Sequence, residues 1–144
     1  MTRLDRNRLE AGRFPHTHSV ATRFSDVDLI GHVNNVAVGA LLQEARYHFI
    51  VDTNLLGTAQ CQLVIAAVSI EFANDMFHPE PVAVSTGILE IGRTSFRVAQ
   101  VARQNGRIGA YAETVQVTRD ASGSIPLPAE WRDMLDALKI DRTL

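Results

Sequence analysis

An α+β fold is what the sequence predicts: one antiparallel sheet of about five strands wrapped around one long central helix, with a short C-terminal helix after it. Three observations predict it. One long apolar segment has helical spacing, the segments after it run apolar or alternate like strands, and Asn105-Gly106 joins two of them as a hairpin. A sheet of this kind needs a cover, and the long helix is the segment of the right size. The 144 residues make a single domain, 1–144, long enough to bury a core without staples.

Each element has its own reason. Residues 1–14 carry Arg3, Arg6, Arg8 and Arg13 against Asp5 and Glu10 and read as a flexible, solvated tail. From His16 to Phe24 the chain alternates with period 2, with Val20, Thr22 and Phe24 on one face, as a strand does. Ser25 to Asn35 is polar, holds Gly31, and reads as a loop that ends at a helix start. Asn34 or Asn35 can cap that helix by accepting a first-turn N–H. Val38, Leu41, Leu42, Ala45 and Phe49 follow at i, i+3, i+4 spacing. Ala37, Ala40 and Ile50 widen the stripe, so burial around much of the helix is expected. Asp52, Asn54 and Gly57 end it.

The remainder reads as strands. Leu63 to Phe72 is almost continuously apolar, as in a strand covered on both faces. His78, Pro79 and Pro81 break the run. Val82 to Ile91, Ser95 to Arg103 and Arg107 to Thr118 form a meander turned by Gly92-Arg93-Thr94 and Asn105-Gly106. Ser122-Gly123-Ser124 reads as a flexible link into a C-terminal extension, 124–144. There Trp131, Met134, Leu135 and Leu138 give a short helix one apolar side.

Composition excludes several functions. Fourteen Lys and Arg against sixteen Asp and Glu leave a net charge of −2, unlike a nucleic-acid surface. No apolar run approaches the ~18 residues of a membrane span, and the first residues, MTRLDRNRLEAGRF, lack the apolar stretch of a secretory signal. The one cysteine, Cys61, has no intrachain disulfide partner, so a cytoplasmic location is expected. His16 and His18 share a strand face, but no third or fourth ligand is evident and no metal is expected. There is no G-x-S-x-G elbow and no nucleotide fingerprint.

The segment that can carry chemistry is Arg23 to Asn35, RFSDVDLIGHVNN. It packs two carboxylates, a histidine, a glycine and two amides between a strand and a helix start. A helix start offers unpaired N–H groups and a partial positive charge, which can hold a carbonyl oxygen as it becomes an oxyanion. A carboxylate a few residues upstream can attack that carbonyl or activate a water beside it. Gly31 would let the backbone approach closely. Asp26 reads as structural. Glu44 sits about 13 Å along the helix, too far to serve this site, and an ion pair with His48 or an arginine is expected of it.

This string, followed by Leu42-Gln43-Glu44-Ala45-Arg46, resembles the hotdog-fold acyl-CoA thioesterases of the 4-hydroxybenzoyl-CoA thioesterase family. The D-x-D-x-x-G-H-V-N-N run is the specific part. IGRTSFRV and NGRIGAYAETVQV are also similar, and the resemblance spans about Ser19 to Thr118. It implies a hotdog fold and hydrolysis of an acyl-CoA to a carboxylic acid and free Coenzyme A. Asp28 would be nucleophile or general base, the backbone N–H of Asn35 the oxyanion donor, and His32 a residue that orients water or contacts the acyl group. Gly31 and Asn34 would help bind substrate. Arg93, Thr94 and Ser95, with Arg103 and Arg107, are candidates for the Coenzyme A phosphates. Coenzyme A enters as part of the substrate, with no further cofactor. The resemblance also implies a homodimer or homotetramer with its site between protomers, consistent with a strand Leu63–Ile70 that one helix cannot cover on both faces. Two competing readings are a non-catalytic acyl-CoA-binding hotdog protein and a hotdog dehydratase or hydratase.

Overall fold

The computed structural model describes residues 3–55 and 61–142. The elements run α1 (Arg6–Ala11), β1 (Gly12–Arg13), β2 (His16–Val20), α2 (Asn35–Asp52), β3 (Gln62–Phe72), β4 (Val82–Ile91), β5 (Ser95–Gln104), β6 (Arg107–Asp120), β7 (Gly123–Ser124), α3 (Ala129–Ala137) and β8 (Asp141–Arg142). The main sheet is antiparallel in the order β2-β4-β5-β6-β3, with β7 added to β6, and β1 pairs with β8 apart from it. The β5–β6 hairpin turns at Asn105 and Gly106, with φ of 52° and 77°. Those positive values are what an Asn-Gly turn supplies at low cost.

One face of the sheet holds α2. Its Val38, Leu41, Leu42 and Ala45 pack on Val82, Val84, Ala102, Ala110 and Ala112. Farther along, Phe49 joins Ile88, Phe96, Val98, Trp131 and Leu135, so α3 closes the C-terminal end of the helix. A buried polar link pins the middle: Arg46 Nη1 donates to Gln100 Oε1 at 3.1 Å, and Gln100 Nε2 donates to the Leu42 carbonyl at 3.0 Å. Burial lowers the pKa of that guanidinium.

Five expectations change. Of the expected solvated tail 1–14, the described residues 3–14 are not one: α1 lies on the opposite face of the sheet, with Leu9 buried among Leu89, Ala99, Val101 and Tyr111. Arg6 Nε reaches Glu71 at 2.8 Å and stands 4.9 Å over the Tyr111 ring. A single buried leucine in a helix of six residues gives no apolar period to set against four arginines. The first strand stops at Val20, and Phe24–Asp26 is a 3₁₀ turn. The helix keeps an open face, where Val36, Tyr47 and Val51 are exposed. Finally, β3 is not covered on both faces; it is the sheet's edge, and Ile65, Val68 and Phe72 are each between 43% and 46% exposed. The expected link at Ser122–Ser124 pairs with β6 through β7. Gly57 lies outside the described residues.

Candidate active site

The loop between β2 and α2 folds back on itself. Val27 bridges Val33, Asp28 N–H donates to the His32 carbonyl at 2.9 Å, and Gly31 N–H donates to the Asp28 carbonyl at 3.1 Å. The Asp28 carboxylate closes the turn from inside: Oδ1 accepts the N–H of Ile30 at 2.9 Å and of His32 at 3.1 Å. Its other oxygen, Oδ2, has no partner among the described residues, and the residue is exposed. Asp28 is thus both a turn former and a positioned carboxylate with one oxygen to spare. Gly31 has φ of 93°, and a Cβ there would meet nothing within 4 Å. Its glycine serves the left-handed backbone of the turn.

A second set of bonds fixes the helix start. Asn34 is the cap: its Oδ1 accepts the Ala37 N–H at 2.8 Å, while its own Nδ2 and N–H both donate to the Asp26 carbonyl at 2.9 Å. Asp26 is buried and in turn accepts from Arg23, through the backbone N–H at 2.8 Å and Nη2 at 3.0 Å. Burial pushes the Asp26 carboxyl up, but these bonds outweigh it and hold the group below the usual carboxylate range. With Ala37 served by the cap, the N–H groups of Asn35 and Val36 have no acceptor among the described residues. They are the free donors of the helix start.

Asn35 lines a cavity of about 290 Å³, together with Val33, Phe72, Asn74, Asp75, Phe77 and Arg107. This wall joins the loop to the segment after β3: Val33 N–H donates to the Met76 carbonyl at 2.8 Å, and His32 bridges Phe77. Arg107 Nη2 donates to Asn74 Oδ1 at 2.7 Å. His32 lays its ring edge-on to Phe77, with centroids 5.1 Å apart, and places Nδ1 3.5 Å from Asp75 Oδ1. A polarising N–H at a cavity mouth, with a carboxylate and an imidazole on the adjoining turn, is equipped for addition of water or a carboxylate to a carbonyl.

The predicted residues therefore fall into two groups. Asp28, Gly31, His32, Asn34 and Asn35 come together in one loop and helix start. Arg93, Thr94 and Ser95 do not join them within one chain. They begin β5, whose far end, Gln104, bonds Phe77. Ten residues of strand put about 30 Å between the two ends. The carbonyl of Arg93 accepts from Leu127 N–H, and that of Thr94 from Thr118 N–H, so this turn seats the chain that leads into α3. Sequence reading did not single out Asn74, Asp75 or Phe77. Their one signal was position, directly after a strand end, where side chains of the loop face whatever the strand leads to. Glu44 is exposed in a groove with Arg23, Asp26 and Ala40. His16 Nε2 meets Asp52 Oδ2 at 2.9 Å, and His18 stacks on His48 at 3.8 Å. Among the described residues, no group of three such ligands could hold a metal.

Comparison with known proteins bears on the family and the fold. Residues 22–138 match the model of the Thioesterase-like superfamily, and the chain belongs to that superfamily. A thioesterase from Thermus thermophilus, solved with coenzyme A and Zn, is 27% identical with a TM-score of 0.78, covering 91% of this chain and 98% of its own. A predicted thioesterase from Bacillus stearothermophilus is 28% identical with a TM-score of 0.76, covering 85% and 95%. A gentisyl-coenzyme A thioesterase, at 20% identity and a TM-score of 0.72 over 84% and 99%, shares the fold. No curated protein matches. The architecture is the hotdog fold, a curled antiparallel sheet around a long central helix. No helix among the described residues is long and apolar enough to cross a membrane.

Proposed function

We propose that this chain is an acyl-CoA thioesterase of the 4-hydroxybenzoyl-CoA thioesterase type, working in the cytoplasm as a homodimer or a larger homo-oligomer. The observation that carries the reading is the Asn35 N–H, unclaimed at a cavity mouth and next in the chain to a turn whose carboxylate, Asp28, keeps a free oxygen. The thioester carbonyl would rest on that N–H. Asp28 Oδ2 would attack the carbonyl carbon or take a proton from the water that does. Helix partial charge and the N–H stabilise the oxyanion, and C–S cleavage releases Coenzyme A.

Superfamily membership supports the hydrolytic reading, and the coenzyme A bound to the Thermus relative supports the leaving group. Arg107, at the cavity and free of a carboxylate partner among the described residues, suits a phosphate of that moiety. Oligomerisation is supported by two exposed features. Asp28 stands in water in the single chain, and the edge strand β3 leaves ladder groups and half-exposed apolar side chains unpaired. A second protomer would cover both and could bring its Arg93, Thr94 and Ser95 toward the cavity.

The test is thiol release from a panel of acyl-CoAs by the wild type and by Asp28→Asn. Hydrolysis by the wild type and loss of most of it in the variant is expected. Full activity in Asp28→Asn overturns the assignment of Asp28. Binding without hydrolysis across the panel makes the protein a non-catalytic acyl-CoA binder, and an enoyl or 3-hydroxyacyl product makes it a dehydratase or hydratase.

A further inference from the structure

The geometry assigns to Asp75 the positioning of His32, and to His32 the delivery of a proton to the departing thiolate; the assignment rests on the thioesterase reading above. The main chain of His32 is held at both polar groups, its N–H by Asp28 Oδ1 and its carbonyl by the Asp28 N–H. Its strand bridge to Phe77 fixes the direction from which the side chain leaves. The ring then lies edge-on to Phe77, nearly perpendicular at 88°, with Nδ1 beside the Asp75 carboxylate at 3.5 Å. Nε2 has no partner among the described residues. An imidazole with one nitrogen beside a carboxylate and the other without a partner presents a defined nitrogen to a reaction.

That ring stands at the right place. Asp75 and Phe77, the two groups it leans on, line the same cavity as Asn35. The side chain of His32 is 29% exposed, and the ring packs beside two residues of the cavity wall without being loose in solvent. Asp28 cannot do this work through its held oxygen, because Oδ1 is taken by two N–H groups. Two separate carriers handle the two protons. In the general-base case, the water oxygen bonds to the carbonyl carbon and its proton passes to Asp28 Oδ2. The C–S bond breaks, its electron pair goes to sulfur, and sulfur takes the proton from Nε2 of the protonated ring. Asp28 then returns its proton to the ring through solvent. One water is consumed, and one acid and one thiol are formed. If Asp28 attacks as nucleophile, its oxygen bonds to the carbonyl carbon, the C–S bond breaks and sulfur is protonated in the same way; one water then cleaves the acyl–Asp28 anhydride, releasing the acid and restoring the Asp28 carboxylate, and its proton returns to the ring through solvent.

The experiment uses two thioesters of one acyl group: the Coenzyme A ester, and an ester of an electron-poor thiophenol whose thiolate leaves without a proton. On the Coenzyme A ester, Asp75→Asn is expected to lose about tenfold in kcat at unchanged KM, and His32→Gln about a hundredfold. Both losses should shrink to about twofold on the aryl ester. Asp75→Glu should recover most of the rate, and adding Asp75→Asn to His32→Gln should cost nothing more. The Asp75 side chain is 65% exposed, so its variants keep the fold. A wild type active on both esters, with equal losses on both or with additive losses in the double variant, overturns the assignment. A wild type that turns over neither ester overturns the thioesterase reading, and this assignment with it.

Discussion

The two ends of α2 are built on opposite terms. At the C-terminal end, Phe49 is fully buried against Phe96, Trp131 and Leu135, and the last turn is closed by Thr53 Oγ1 donating to the Phe49 carbonyl at 2.6 Å. At the N-terminal end, Asn35 and Val36 are exposed, two N–H groups are unclaimed, and order comes from hydrogen bonds through Asp26 and Asn34. One end is held by area removed from water; the other is held by directional bonds that leave donors open. Stability and chemistry are thereby separated along one helix, so each can be broken without the other.

The largest effect should come from the packed end. Phe49→Ala removes a fully buried ring and should cost about 3–5 kcal/mol in a denaturant titration, with activity falling only as folded protein is lost. Asp28→Asn should do the converse. Its amide oxygen can still accept the two turn N–H groups, so the unfolding midpoint stays, while thiol release drops by about 10²–10⁴. A next test separates the proposed oligomer from the fold: Ile65→Asp with Val68→Asp places charges on the exposed edge strand. In sedimentation this variant should run as a monomer with little loss of secondary structure and with activity abolished.

Two smaller effects sharpen the N-terminal end. Asn34→Ala removes the cap and should cost about 1 kcal/mol, with a kcat loss larger than that stability change explains, because the open N–H groups lose their aim. Asp26 sets the pH dependence. Its carboxyl titrates below the usual range in the folded chain. Its stabilisation is therefore complete above the unfolded value of about 3.9 and is lost as pH falls through the folded pKa. An acid-unfolding curve of Asp26→Asn should lack that portion of the transition.

How much of this was legible in the residues follows from the range of each interaction. Asn34 as cap, the Asn105-Gly106 turn and the stripe of α2 depend on neighbours within four positions, and periodicity exposes them. The gathering of Asp28, Gly31, His32, Asn34 and Asn35 was legible for the same reason, since they share one loop. Leu9 was not, because its burial depends on Leu89 and Tyr111, far along the chain. The apolar run of β3 told of burial without telling what buries it, and in one chain it is an edge. Asp75 had no local pattern at all; its meaning comes from a contact with His32 across the loop.

The position of α2 in the chain carries one more consequence, for synthesis. The helix is complete at Asp52, but the strands that cover it follow, and β6 ends only at Asp120. At about 5–20 residues per second, the ribosome leaves the apolar stripe of Val38, Leu41, Leu42, Ala45 and Phe49 without its sheet for several seconds. The strand made just before it, β2, is a poor shelter, being five residues long and itself awaiting β4. Each nascent chain thus carries its most apolar helix uncovered until the last long strand emerges.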